Sequence, residues 1–256
     1  MKRFVLFGEL TLLMFLLIIG ARAGDLVIYY SFDSLKDNFV PDMSGNGHDG
    51  VINGDVTLAD GKSGSAGKFA NGGYLDLDGE NFPADEVPKD AGTVCAWVNV
   101  EETGGHHAIF NARASDATWL VHPELRSDHT FRWLFRAYGG TTIFDVRAGE
   151  WKPGEWLHYA GTYSKDAGVG ILYINGEEVG RENARVSEPI AGDWGMGARV
   201  GKNIDDARPF TGLMDDLCIW SKALTQDEIK ALMETGVTSV SPKDSLVTTW
   251  GQIKKF

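Results

Sequence analysis

Three arginines, Arg132, Arg136 and Arg147, fall within sixteen residues of a chain whose 36 acidic residues outnumber its 24 lysines and arginines. Guanidinium forks grip carboxylate or sulfate through paired hydrogen bonds. A ring such as Tyr138 beside them offers a flat apolar face to a sugar. Trp119, His122 and Arg113 are candidates to border the patch. The competing reading is a salt-bridged ladder in which Asp145 satisfies Arg132 and Arg136.

Other chemistries fit less well. Retaining glycosidases need two carboxyls about 5 Å apart. The nearest approach is Asp76-Leu77-Asp78-Gly79-Glu80, where Gly79 and the following Asn81-Phe82-Pro83 read as a strand running out into a loop. His106 and His107 are adjacent, so a strand would point them to opposite faces and make a poor chelate. There is no His-x-x-x-His or Cys-x-x-Cys spacing, no phosphate loop, no dinucleotide fingerprint and no nucleophile elbow.

The elements that must carry the patch are legible. Gly139-Gly140 separates Arg132–Tyr138 from Thr141–Arg147 and reads as a two-residue hairpin loop. That register sets Trp133 against Val146 and Phe135 against Phe144 on the core face. It leaves Arg132, Arg136, Tyr138 and Arg147 on the other face, with Arg132 opposite Arg147. Asn175-Gly176 marks a second hairpin. Further β-patterned runs are Leu26–Asp33, Gly73–Leu77, Thr93–Val100, Ala108–Ala112, Trp156–Tyr163, Arg199–Gly201 and Leu213–Trp220. One helix is expected: Thr225 and Glu228 form a capping box, Ile229, Leu232 and Met233 an apolar stripe, and Gly236 the stop. The stripe reads as sealing the edge of a sandwich. Many short strands between glycine-rich turns predict an all-β, two-sheet antiparallel jelly-roll sandwich with one short C-terminal helix.

The chain begins with Lys2-Arg3, an apolar run from Leu10 to Ile19 and a small-x-small Ala21-Arg22-Ala23, the pattern of an export signal over residues 1–23. The run is short of the roughly 20 apolar residues a spanning helix needs. The segment carries three bases and one acid, so the formal charge of −12 becomes −14 without it. Such a balance argues against nucleic acid and anionic membranes as partners. A secreted, soluble domain over residues 24–236 and a tail over 237–256 are expected. In an oxidising compartment Cys95 and Cys218 could pair, which sequence alone leaves open.

The order of motifs resembles a laminin-G-like jelly roll of the concanavalin A-like lectin/glucanase superfamily, of bacterial exported type. The matching pieces are Tyr30-Ser31-Phe32-Asp33, Asp42 to Gly50 (Asp-Met-Ser-Gly-Asn-Gly-His-Asp-Gly), Gly73 to Leu77, Thr93 to Val98, Gly154 to Tyr163, Leu172 to Gly176 and Gly212 to Trp220. His158 falls on a family position and reads as structural. The laminarinase-like acid patterns Glu-x-Asp-x-Glu and Glu-x-Asp-x-x-Glu are absent. The resemblance implies that the first strand, the Ser-Gly-Asn-Gly loop and the last strand lie together. That would gather Asp33, Asp42, Asn46, Asp215 and Asp216 around a structural calcium ion, although Asp215 and Asp216 should face opposite sides of their strand. Taken singly, each acid reads as a turn cap or a solvent-facing group. The expected function is a non-catalytic binding or adhesion module for an extracellular glycan or glycoprotein. The alternative is a glycoside hydrolase or polysaccharide lyase with an unrecognised acid pair.

Overall fold

The computed structural model describes residues 25–78, 81–188, 190 and 192–237. The expected export segment 1–23, Gly79-Glu80 and all of the 237–256 tail except Val237 lie outside the described residues. In chain order the strands are β1 (Leu26–Tyr30), β2 (Phe39–Val40), β3 (Gly50–Asp60), β4 (Ser65–Leu77), β5 (Ala91–Val100), β6 (His107–Ala108), β7 (Phe110–Arg113) and β8 (Trp119–Leu125). They continue with β9 (Phe131–Arg136), β10 (Thr142–Ala148), β11 (Trp156–Ser164), β12 (Val169–Ile174), β13 (Glu177–Asn183), β14 (Ala198–Val200) and β15 (Gly212–Trp220), followed by the helix α1 (Gln226–Thr235).

One layer runs β10-β9-β8-β7-β14-β4 and the other β15-β5-β11-β12-β13, with β1 added on β15. β4 joins them: its Leu75–Leu77 end pairs with β14 and its Gly67–Phe69 part with β15. All the pairings are antiparallel, and the chain is the all-β jelly-roll sandwich expected. The layers meet through aromatic side chains. Trp133 of β9 donates its indole N–H to the Thr162 carbonyl of β11 at 2.9 Å, and Phe135 stacks on Tyr163 at 5.3 Å. Two glycines permit this approach. A Cβ on Gly161 would lie 2.5 Å from the Trp133 ring, and one on Gly170 would lie 2.6 Å from Phe144.

The hairpin of β9 and β10 has the expected register, with Trp133 opposite Val146, Phe135 opposite Phe144 and Arg132 opposite Arg147. All four apolar members are buried. Gly139 and Gly140 both take positive φ, but the strands end sooner than expected, at Arg136 and Thr142, and Tyr138 starts a single 3-10 turn. Asn175 and Gly176 have the two positive φ angles of a type I′ turn.

Three strands, β2, β3 and β8, were missed by the sequence reading. β3 contains Asn53-Gly54, which reads as a turn but is a bulge, because the pairing with β4 shifts between Asn53 and Asp55. β8 contains Pro123, normally excluded from central strands. It is tolerated because the neighbour of β8 changes there: β7 pairs with Trp119 and Val121, and β6 with Glu124 and Leu125.

α1 has both halves of the capping box, and the Gly236 N–H closes on the Leu232 carbonyl. It does not seal an edge. Ile229, fully buried, packs with Leu26, Cys95, Ala160, Tyr173, Cys218 and Trp220 on the outer face of the second layer.

Candidate binding face

The outer face of the first layer is polar and charged. Cross-strand register assembles it: Glu124 stands opposite Arg132, His122 opposite Leu134, and Arg199 between Asn111 and Asp76. Its centre is a carboxylate with no solvent exposure, Glu124, ringed by bases. Arg126 lies 3.2 Å away, Arg132 3.7 Å, and Arg208 pairs with it from the 201–210 loop. His122 Nδ1 is 3.2 Å from Glu124 Oε1. Burial alone would raise the Glu124 pKa, but His122, Arg208 and Arg132 together lower it to about 2. Asp145 behaves alike. Burial opposes its ionisation, and hydrogen bonds from Arg132 and Arg147 bring its pKa to about 2.

This geometry redistributes the arginines singled out by sequence. Arg132 is 8 % exposed and is held bidentately by Asp145, through Nε at 2.6 Å and Nη2 at 2.9 Å. It is a strut of the ladder, a correction to its expected place among ligand-contacting groups. Arg147 also reaches Asp145, at 3.1 Å, and stays exposed. Arg136, half-buried, makes no hydrogen bond or ion pair among the described residues; Asp145 attracts it without the bond that the ladder reading expected. Tyr138 is exposed and gives its hydroxyl hydrogen bond to Asp193. The Trp119 ring lies parallel to His122, 6° between planes and 5.3 Å between centroids. The Arg113 guanidinium sits 5.1 Å from the Trp119 ring and donates to the Ala117 carbonyl.

A second aromatic station was missed by the sequence reading. Tyr74 of β4, half-buried, carries Arg199 at 4.3 Å and Lys202 at 5.2 Å over its ring. No spacing rule links positions 74, 199 and 202; only the β14–β4 pairing does. The face is also short of partners. Eight buried side-chain nitrogen or oxygen atoms lack a hydrogen-bond partner among the described residues. Five of them lie on this face or in the turn beside it: His122 Nε2, Arg126 Nε, Arg199 Nε and both amide atoms of Asn203.

The expected calcium ligands separate into two groups. Asp42 is a turn cap. Its carboxylate accepts from the backbone N–H groups of Tyr29, Ser44, Gly47 and His48. Asn46 donates to the Leu26 and Val27 carbonyls. Both are occupied by their own loop and by β1, which corrects the five-residue set. Asp33, Asp215 and Asp216 do converge on the Gly61–Gly64 turn. Asp215 Oδ2 accepts from the N–H groups of Lys62 and Ser63, Asp33 Oδ1 accepts from Ser65, and Asp33 and Asp216 line a cleft of about 450 Å³ with Lys62 and Ser63.

Asp215 and Asp216 were expected on opposite faces. A bulge instead lets both address the same turn: the pairing with β5 shifts after Asp215, and Asp216 takes φ 48°. Burial, and then the neighbouring Asp216, raise Asp215 to about 6, although its hydrogen bonds oppose the rise. Asp215 is fully buried and its Oδ1 has no partner. Among the described residues no three His, Cys, Asp or Glu side chains form a ready metal-holding group.

Cys95 and Cys218 stand directly opposite on β5 and β15, buried, with both thiols free. His158 packs edge-on against Trp97. His107 is fully buried, accepts from the Thr211 N–H and contacts Trp151. No described helix is long and apolar enough to cross a membrane.

Comparison with known proteins places this arrangement. Mouse pappalysin-1 is 28 % identical over 189 residues, covering 66 % of this chain but 11 % of its own length. Human pentraxin-related protein PTX3 is 26 % identical over 181 residues, covering 68 % of this chain and 46 % of its own. The chain thus spans under half of these curated relatives. Domain 4 of AbnA, a GH43 extracellular arabinanase from Geobacillus stearothermophilus solved in complex with arabinotriose, matches with TM-score 0.57 and 25 % identity, over 81 % of this chain and 98 % of that one. The binding domain of Paraclostridial Mosquitocidal Protein 1 shares the fold, with TM-score 0.63 and 16 % identity over 82 % of this chain and 52 % of that one. A family model, Laminin_G_3, matches residues 69–230, more than half of the chain, and with the sandwich and its strand order this makes the chain a member of the concanavalin A-like lectin/glucanase superfamily.

Proposed function

We propose that this protein is an exported, non-catalytic glycan-binding module that uses the charged outer face of its first layer. The observation that carries the reading is the pair of half-exposed rings on that face, Trp119 and Tyr74, each with a base lying over its ring. The uncovered side of such a ring packs on an apolar sugar face, and the guanidinium over it bonds sugar oxygens. The match to an arabinotriose-binding domain at nearly its whole length supports the reading. Hydrolysis is a poorer fit. A general acid needs a raised pKa, whereas Glu124 and Asp145 on this face are both held near 2. The raised carboxyls, Asp215 and Asp216, lie on the other layer, away from these rings; burial is the first cause in both.

A calcium ion fits the second cluster in part. Hard cations take several oxygen ligands. Asp215 Oδ1 is a buried oxygen without a partner, and Asp33 and Asp216 face the same turn. These three residues would hold the ion, although they are not gathered into a ready three-acid group, and it would tie the last strand to the Gly61–Gly64 turn. Chelation is expected to lower the melting temperature, since an ion bound only by the folded state stabilises it. An unchanged melting curve refutes the ion. For the binding face, Trp119→Ala and Tyr74→Ala should each weaken oligosaccharide binding on a glycan array while leaving the melting curve nearly in place. Unaltered binding by both variants moves the site elsewhere.

A further inference from the structure

On the charged face the bases exceed the acids. Arg126, Arg132, Arg136, Arg147 and Arg208 surround two carboxylates, Glu124 and Asp145. Both carboxylates are already engaged, Glu124 by Arg126, Arg208 and His122, and Asp145 by Arg132 and Arg147. Arg136 is left over. It is half-buried, it makes no hydrogen bond or ion pair among the described residues, and the attraction of the more distant Asp145 and Glu124 is opposed by Arg132 and Arg208. Beside this network the buried His122 Nε2, on the ring edge away from Glu124, also has no partner. A chain with an excess of acids has nonetheless gathered five guanidinium groups around two carboxylates and left one of them unmatched. That arrangement costs stability unless something outside the chain supplies the missing negative charge.

We infer that Arg136 is an anion subsite, and that the glycan bound on this face carries an acidic group, a uronate carboxylate or a sulfate ester, which Arg136 grips. The inference rests on the glycan-binding reading above and narrows it to acidic sugars. Geometry sets the subsite's limits. On one side lie Arg132 and its partner Asp145. On the other, the hairpin loop carries Tyr138 bonded to Asp193 and Gly139 bonded to Asp116. Those two acids repel a second negative charge, so the subsite takes one anionic group at a time. The attraction survives the net charge of the chain because distant charges are screened beyond roughly 10 Å at moderate salt, whereas a forked contact is not.

The test is titration calorimetry with three probes: oligogalacturonate, a heparin-derived sulfated oligosaccharide and a neutral arabino-oligosaccharide. The proteins are wild type, Arg136→Gln, Arg136→Lys and Arg147→Gln. Wild type should prefer one of the acidic probes, and which one distinguishes carboxylate from sulfate. Arg136→Gln should lose about ten- to a hundredfold in affinity for that probe and none for the neutral one. Arg136→Lys should fall between, and Arg147→Gln should change little. Because Arg136 has no partner among the described residues, Arg136→Gln should melt at or above the wild-type temperature. A large drop in melting temperature would make Arg136 structural and overturn the inference. Equal binding of neutral and acidic probes, indifferent to Arg136, overturns it while leaving the glycan reading standing. Failure of all three probes to bind overturns both.

Discussion

The sandwich has two outer faces, and they are finished in opposite ways. On the second layer, α1 lays Ile229 onto Leu26, Cys95, Ala160, Tyr173, Cys218 and Trp220, an apolar seam that excludes water. On the first layer no described helix covers the sheet. Bases close in on Glu124 and Asp145 instead, aided by the 201–210 loop that brings in Arg208 and bonds Asn111 through the Ile204 N–H. The apolar seam is closed by its own chain, with the Trp220 indole N–H its one buried polar side-chain atom without a partner among the described residues. The charged face is not, since it retains an unmatched guanidinium and several orphaned polar atoms. A surface that folding leaves incomplete is the one with free energy still available for a ligand.

Single substitutions should expose the contrast. The largest effect is expected from Glu124→Ala, which strands Arg126, Arg132 and Arg208 around an empty centre. Breaking a buried charge cluster in this way costs about 3–5 kcal/mol, readable by urea denaturation. Ile229→Ala on the helix face should cost about 2–4 kcal/mol, with little dependence on salt. If Glu124→Ala costs less than Ile229→Ala, the charged face is not an integral part of the folded core.

Acid should separate the faces further. Glu124 and Asp145 titrate near 2 in the folded chain and near 4 when unfolded. Their stabilisation is present in full above the unfolded values and is lost as pH falls from about 4 towards 2. Ile229→Ala should keep this acid slope, and Glu124→Gln should flatten it. Parallel slopes in the two variants would assign acid lability to other carboxylates. The smallest effect is expected from Arg147→Gln. Its pair with Asp145 is exposed on the arginine side, and such pairs contribute about 0–1 kcal/mol.

What sequence made legible follows from which forces are local. The β9–β10 register was readable because Trp133, Phe135, Phe144 and Val146 alternate on either side of Gly139-Gly140. The α1 cap was readable because Thr225 and Glu228 act within one turn. β3 and β8 were not readable, because a bulge glycine and a strand proline carry loop signals that only the neighbouring strands override. The burial of Glu124 was invisible for the same reason. It depends on three arginines and a histidine spread over 86 positions of sequence, from His122 to Arg208. The cluster of acids was half legible: proximity in the fold was expected for Asp33, Asp215 and Asp216, but the occupation of Asp42 by four backbone N–H groups was not.

The pairing of β1 with β15 has a topological consequence. Leu26 lies opposite Trp220, and Tyr29 lines the same cleft as Val237, so the two ends of the described domain are neighbours. Such a domain can be spliced into a longer polypeptide at one point on its host's surface, like a bead hung from a closed loop, without forcing the host's own strands apart. The same adjacency makes it a candidate for circular permutation. A short linker from Val237 back to Asp25, with new ends opened at the exposed Thr103-Gly104 turn, would reorder the whole sequence and leave every ladder and both faces intact.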